Sequence, residues 1–151
     1  MNKELPTSAK AVVIGGGVTG CSTAYHLAKF GWKDTILLER DQLTSGTTWH
    51  AAGLVSQLKS TYSLTKLATY SARLFEELEE ETGQATGYRT PGSISVAADQ
   101  ERWEELKRGI SMASTVGVEI REINFDELNE FWPLVNTNDL VGALYIPKDG
   151  V

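Results

Sequence analysis

The chain has 151 residues, 41% hydrophobic and 23% charged, with a formal net charge of −6 and a pI of about 4.9. That size supports a domain with a real core, while the acidic balance repels phosphate backbones and argues against nucleic acid as a partner. The single cysteine, Cys21, excludes an internal disulfide framework, no apolar run is long enough to span a bilayer, and the start MNKELPTSAK lacks the apolar core of a secretory signal, so the expectation is a cytoplasmic protein with no membrane association.

The run AVVI at 11–14 is short, continuous and β-branched. It predicts a parallel strand covered on both faces. GGGVTG follows directly, and then Val18, Cys21, Tyr25 and Ala28 recur at helical spacing until Gly31 stops the helix. TILLE at 35–39 predicts a second strand, parallel to the first because the connection is a crossover helix. Two parallel strands are too few for a stable sheet. The chain therefore reads as the N-terminal part of a longer protein that supplies the remaining strands.

A long helix is expected from about Ser63, with Leu64, Leu67, Ala68, Ser71, Leu74, Phe75 and Leu78 on its covered face and Gly83 at its end. A Pro-Gly turn then precedes a strand with alternating Ile94 and Val96. Asp99 caps a second helix that covers Trp103, Leu106, Ile110 and Ala113 and stops at Gly117. VEIREI at 118–123 predicts a strand, Asn124 with Glu127 resembles a capping box for a short helix ended by Pro133, and VGALYIP at 141–147 predicts the last strand. These later strands alternate like a half-exposed antiparallel sheet and belong to a different layer from the first two.

Gly15-x-Gly17-x-x-Gly20 is the first chemical motif. Gly15 permits a tight turn, Gly17 lets backbone approach a pyrophosphate, and Gly20 lets helix and strand pack closely. The helix start offers free N–H groups and a positive dipole end. Residues Gly15, Gly16, Gly17, Val18, Thr19 and Gly20 form the expected phosphate cradle. Glu39 stands nineteen residues after Gly20, at the end of the second strand, where a carboxylate accepts from adenosine ribose hydroxyls. Its charge disfavours a 2′-phosphorylated dinucleotide, although Arg40 beside it weakens that argument. Cys21 reads as a small residue packed against the strand, and His26 as an ordinary helix residue with no metal-ligand neighbour. No metal site is expected.

The second motif is SGTTWHAAG at 45–53. Ser45, Thr47 and Thr48 offer hydroxyls, Gly46 and Gly53 permit close backbone approach, Trp49 is large enough to plug a core, and His50 is a nucleophile when neutral. By itself the stretch reads as a flexible loop with an ordinary surface histidine.

The stretch AVVIGGGVTGCSTAYHLAKFGWKDTILLERDQLTSGTTWHAAGLV resembles the N-terminus of the sarcosine dehydrogenase and dimethylglycine dehydrogenase group, within the D-amino-acid-oxidase-like FAD-dependent oxidoreductases. The resemblance continues through LEEETGQATGYRTPGSISVA and LVGALYIPKDG. It implies an α/β fold, in which a Rossmann-like FAD-binding βαβ unit is followed by part of an α+β substrate domain with antiparallel strands. Residues 10–53 would be the FAD-binding unit and flavin loop, and 54–151 a partial substrate segment, both inside one oxidoreductase domain over 1–151. It also implies FAD bonded covalently to His50, with Glu39 and Arg40 near the ribose and residues 45–50 and Gly53 along the cofactor. The implied reaction is oxidation of a small N-methylated amino acid such as sarcosine or dimethylglycine. Electrons would pass to an electron-transfer flavoprotein or to oxygen, and a folate region is expected beyond the chain. Two other readings stay open. A truncated, non-catalytic piece would bind no FAD alone. An NAD-dependent Rossmann enzyme would need a third strand soon after Glu39, which residues 40–62 do not supply.

Overall fold

The computed structural model describes residues 6–151. The chain divides between Ala52 and Gly53 into two compact units.

The first unit contains strand β1 (Ala11–Ile14), helix α1 (Val18–Lys29) and strand β2 (Thr35–Leu38). The strands pair in parallel, from Ala11 opposite Thr35 to Ile14 opposite Leu38. The α1 helix ends as its glycine predicts. Gly31 adopts φ 87°, its N–H donates to Ala28 O at 2.9 Å, and Trp32 N–H reaches back to Leu27 O at 2.9 Å. This Schellman closure satisfies the last carbonyls.

Cover is thinner than the sequence pattern implies. Ala11 and Val13 are half-buried, but Val12 is 53% and Ile14 86% exposed. One helix covers one face of a two-stranded sheet, so the expectation of strands covered on both faces is not met here. For the same reason α1 has no fully buried residue. Cys21 and Tyr25 are half-buried, while Val18 and Ala28 are exposed.

The second unit holds helix α2 (Tyr62–Thr82), strand β3 (Ser93–Ala97), helix α3 (Gln100–Val116), strand β4 (Arg121–Ile123), helix α4 (Phe125–Phe131) and strand β5 (Gly142–Ile146). Its antiparallel sheet has the order β3-β5-β4. Alternation along β5 serves both faces. Ile146 joins Ala113 and Val118 in one core cluster, and Ala143 joins Ile123 and Leu128 in the other. Asp99 accepts from Arg102 N–H at 2.7 Å, and Gly117 ends α3 at φ 74°.

Four expectations need correction. On α2 the fully buried residues are Thr65 and Ala72, while Leu64 is 50% and Leu67 61% exposed. The covered stripe is rotated by about one residue in the first turns, because Thr65 Oγ1 is drawn inward to accept from Lys59 N–H at 3.1 Å. The 118–123 strand begins only at Arg121, since Val118 turns into the core and its N–H donates to Ala113 O at 3.0 Å. Asn124 caps α4 by accepting from Glu127 N–H at 2.8 Å. The Glu127 side chain does not complete the box, because it pairs with Arg121. The last strand spans Gly142–Ile146 rather than 141–147.

One polar anchor is not legible in the sequence. Asp149 is 3% exposed. It accepts from Gln57 N–H at 2.7 Å and from Ser93 Oγ at 2.6 Å, and Val55 and Gly150 exchange backbone hydrogen bonds beside it. The carboxylate thereby ties the stretch after residue 53 to the end of the sheet.

Candidate cofactor-binding site

The site is built on the turn between β1 and α1. Gly15 sits at φ 103°, a region side-chain-bearing residues rarely adopt. A Cβ on Gly20 would stand 1.8 Å from Gly15 O. Any side chain there would push the helix off the turn, so the third glycine performs the packing role its spacing predicts. Gly17 is the N-cap of α1 and brings no side-chain cap.

Glu39 follows β2 directly and turns back toward the glycines. Its Oε2 accepts from Gly16 N–H at 2.6 Å, and its Oε1 accepts from Arg40 N–H at 2.7 Å and Asp41 N–H at 3.2 Å. The Gly16 bond first, then those from Asp41 and Arg40, hold the carboxyl below its usual 4.5. The group is thus a carboxylate at working pH, with acceptor capacity left over for another donor.

The segment after Glu39 also folds back on the turn. Thr44 N–H donates to Gly16 O at 2.9 Å, and Thr44 adopts φ 66°, an unfavourable value for a β-branched residue. A Cβ on Gly16 would meet Leu43 Cδ2 at 2.5 Å. Residues Thr47–His50, expected as loop, form a single 3-10 turn. Thr48 Oγ1 accepts from Val18 N–H at 2.9 Å. His50 Nδ1 lies 3.0 Å from Gly46 O. A carbonyl only accepts, so Nδ1 carries the proton, and in the neutral ring Nε2 keeps the lone pair. Trp49 packs edge-on against His50, their centroids 6.0 Å apart, and is itself 74% exposed, so it does not plug a core.

These pieces enclose a cleft of about 760 Å³ at the α1 N-terminus. Of the expected residues, Gly15, Gly17, Val18, Thr19, Gly20, Glu39, Arg40, Ser45, Gly46, Thr47 and Thr48 line it. Gly16, Trp49 and His50 are not in its wall, and Gly53 begins the second unit. Val13, Ile14, Thr23, Leu38 and Asp41 also line the cleft and were not expected there, nor were the contacts of Leu43 and Thr44. Thr23 follows Thr19 by one helical turn, which was a usable signal. Nothing in the sequence marks Thr44 as left-handed.

Among the described residues, no group of three or more His, Cys, Asp or Glu could hold a metal ion, and no helix is long and apolar enough to cross a membrane. Cys21 Sγ, 3.3 Å from Gly16 O, and His26 Nδ1, 2.7 Å from Ser22 O, have local structural partners.

Residues 10–151 match the family described as FAD dependent oxidoreductase. The chain is 45% identical over 150 residues to human mitochondrial sarcosine dehydrogenase, covering 99% of this chain and 16% of that protein. It is also 45% identical over 147 residues to the mouse mitochondrial pyruvate dehydrogenase phosphatase regulatory subunit, covering 97% of this chain and 17% of that protein. Among solved structures, the L-proline dehydrogenase of P. horikoshii superposes with a TM-score of 0.87 at 28% identity, over 97% of this chain and 38% of that one. The chain therefore spans about a sixth of the length of these curated relatives.

Proposed function

The chain belongs to the FAD dependent oxidoreductase family, and from that premise we propose that the cleft of its first unit holds the adenosine and pyrophosphate of FAD. The residues fit that group. Gly15 leaves open space where a side chain would stand and Gly20 lets α1 pack close to the turn, the first-turn amides of α1 suit phosphate oxygens, and Glu39 is held as a carboxylate at the end of β2. Gly17 and Thr19 would approach the pyrophosphate through backbone, while Gly16, its N–H held by Glu39, and Val18, its N–H held by Thr48, would shape the turn around it. Glu39 would accept from the ribose hydroxyls, with Arg40 beside it. Ser45, Gly46, Thr47, Thr48 and Trp49 would lie along the cofactor, and Gly53 would let the chain turn away from it. The observation that carries this reading is the meeting of the glycine turn, the Glu39 carboxylate and residues 45–48 in one cleft.

His50 would bond through Nε2 to the methyl carbon on the benzenoid edge of the flavin. The imidazole and the methyl would each give up one hydrogen, and dioxygen would be the oxidant that takes the two as hydrogen peroxide. The Gly46 carbonyl on Nδ1 keeps the lone pair on Nε2. Bound there, the flavin would supply two-electron oxidation, as the acceptor of a hydride from the N-methyl carbon of the substrate.

For the whole protein, we propose oxidation of a small N-methylated amino acid, sarcosine or dimethylglycine, following the resemblance of the motifs and the sarcosine dehydrogenase relative. Water would then release the methyl carbon as formaldehyde, or a folate bound outside this chain would capture it, and an electron-transfer flavoprotein would receive the electrons. The cytoplasm is the compartment the composition favours, while both curated relatives compared above carry "mitochondrial" in their names. The test is anaerobic mixing of the full protein with sarcosine and with dimethylglycine. Bleaching of the visible flavin band is expected, and no bleaching by either sinks the substrate assignment. A regulatory role without turnover is the second reading, favoured by the mouse regulatory-subunit relative. Bound flavin that no methylated amine reduces is its signature.

A further inference from the structure

We infer that Thr48 is a positioning residue for the bond between His50 and the flavin, because its hydroxyl pins the turn that carries His50 to the first turn of α1. The inference rests on the FAD reading above and adds a residue role to it. Three observations support it, all within the first unit.

The first is a missing cap. The opening amides of a helix have no partner inside it, and an N-cap side chain normally answers one of them. Gly17 occupies the N-cap of α1 and has none to offer. Thr48, thirty residues downstream of Val18, answers another of these amides, accepting from Val18 N–H at 2.9 Å.

The second is space. A Cβ on Gly17 would lie 3.1 Å from Thr48 Oγ1, with no other atom within 4 Å. The second glycine of the motif thus leaves room for this hydroxyl as well as for a phosphate.

The third is stiffness between Thr48 and His50. Both belong to the 3-10 turn Thr47–His50. Ala51 N–H closes that turn on Thr48 O at 3.2 Å, and His50 Nδ1 is tied back to Gly46 O at 3.0 Å. A shift of Thr48 against α1 is therefore passed to the imidazole. Bond formation needs reacting atoms about 3–3.5 Å apart, and about 1 Å of misplacement costs on the order of a hundredfold in rate. Thr48 also lines the cleft, so loss of its acceptor lowers FAD affinity as well, but the phosphate cradle is largely backbone and the larger loss falls on the rate of bond formation.

The experiment uses the full protein that carries this chain, prepared without flavin. FAD is added, samples are quenched in acid, and protein-bound flavin is followed over time. Non-covalent affinity is measured separately in a His50→Ala background. Thr48→Val keeps the shape and removes the acceptor. At saturating FAD it is expected to slow covalent incorporation about tenfold or more, a larger factor than its loss of FAD affinity, and Thr48→Ser is expected to return the rate to within about threefold of wild type. Should Thr48→Val not accumulate, Thr48→Cys, with a poor acceptor of similar size, is expected to slow incorporation in the same sense. Incorporation by the acceptor-free variant at the wild-type rate, equal losses in rate and affinity, or no rescue by Thr48→Ser overturns the positioning role alone. A wild-type protein with no acid-stable flavin overturns the covalent reading and this inference together.

Discussion

In the second unit Leu128 and Leu144 are 0% and 1% exposed, whereas among residues 6–52 the buried position is Gly16, which has no side chain. The second unit is held by its own apolar clusters on both faces of a sheet. The first is held by backbone ladders and by polar ties that converge on one turn: Glu39 to Gly16, Thr44 to Gly16 and Thr48 to Val18. Apolar burial contributes roughly 25 cal/mol per Å² and needs no ligand. Polar ties around a cleft contribute less, about 0.5–1.5 kcal/mol each, but they place donors and acceptors where a cofactor can meet them. The proposed site thus sits on the unit in which these 151 residues bury less apolar surface, where a bound cofactor would add contacts.

The largest expected effect separates the units chemically. His50→Ala in the full protein should remove all acid-stable flavin from the denatured pellet. The side chain is exposed and hydrogen-bonded to Gly46 O, so the denaturation midpoint should barely move. Flavin that stays with the variant through acid precipitation would assign the linkage to another residue.

Core truncation tests the comparison directly. Leu128→Ala should cost about 2–5 kcal/mol, the range for emptying a packed leucine site. Ile14→Ala, at a side chain 86% exposed in these 151 residues, should stay within about 0.5 kcal/mol when this chain is denatured by itself. Chemical denaturation measures both, and equal losses would erase the distinction drawn between the units.

Charge at the turn comes next. Glu39→Gln should lower FAD affinity by about ten- to a hundredfold, the scale of charge-assisted hydrogen bonds. The pH dependence has a definite sign. Because the folded carboxyl titrates below 4.5, its contribution to the turn is full above that value and is lost as pH falls through the lower folded pKa. Affinity carried by Glu39 should therefore be flat from neutral pH down to about 5. A fall beginning near neutrality would point to another group, and titration of apo-protein with FAD across that range decides.

Helix capping gives the smallest effect. Asp99→Ala removes the acceptor for Arg102 N–H and should cost about 1 kcal/mol of second-unit stability. The readout is the denaturation midpoint in the absence of FAD. A loss above about 2 kcal/mol would mean Asp99 does more than cap.

Much of this architecture can be read from residue order, because it depends on local rules. The periods of β1, α1 and β2, the stops at Gly31, Gly83 and Gly117, and the caps at Asp99 and Asn124 each depend on a few consecutive residues. The spacing of Gly15, Gly17, Gly20 and Glu39 likewise located the turn and its acid. Tertiary structure decided what those groups meet. It turned Thr65 inward in place of Leu64, gave Glu127 to Arg121, buried Asp149 against Gln57 and Ser93, and brought Thr44 and Thr48 onto the glycine turn. Each of these joins residues separated by several to ninety-two positions. A hydrogen bond over such a separation depends on where the chain returns in space, which local propensity does not encode.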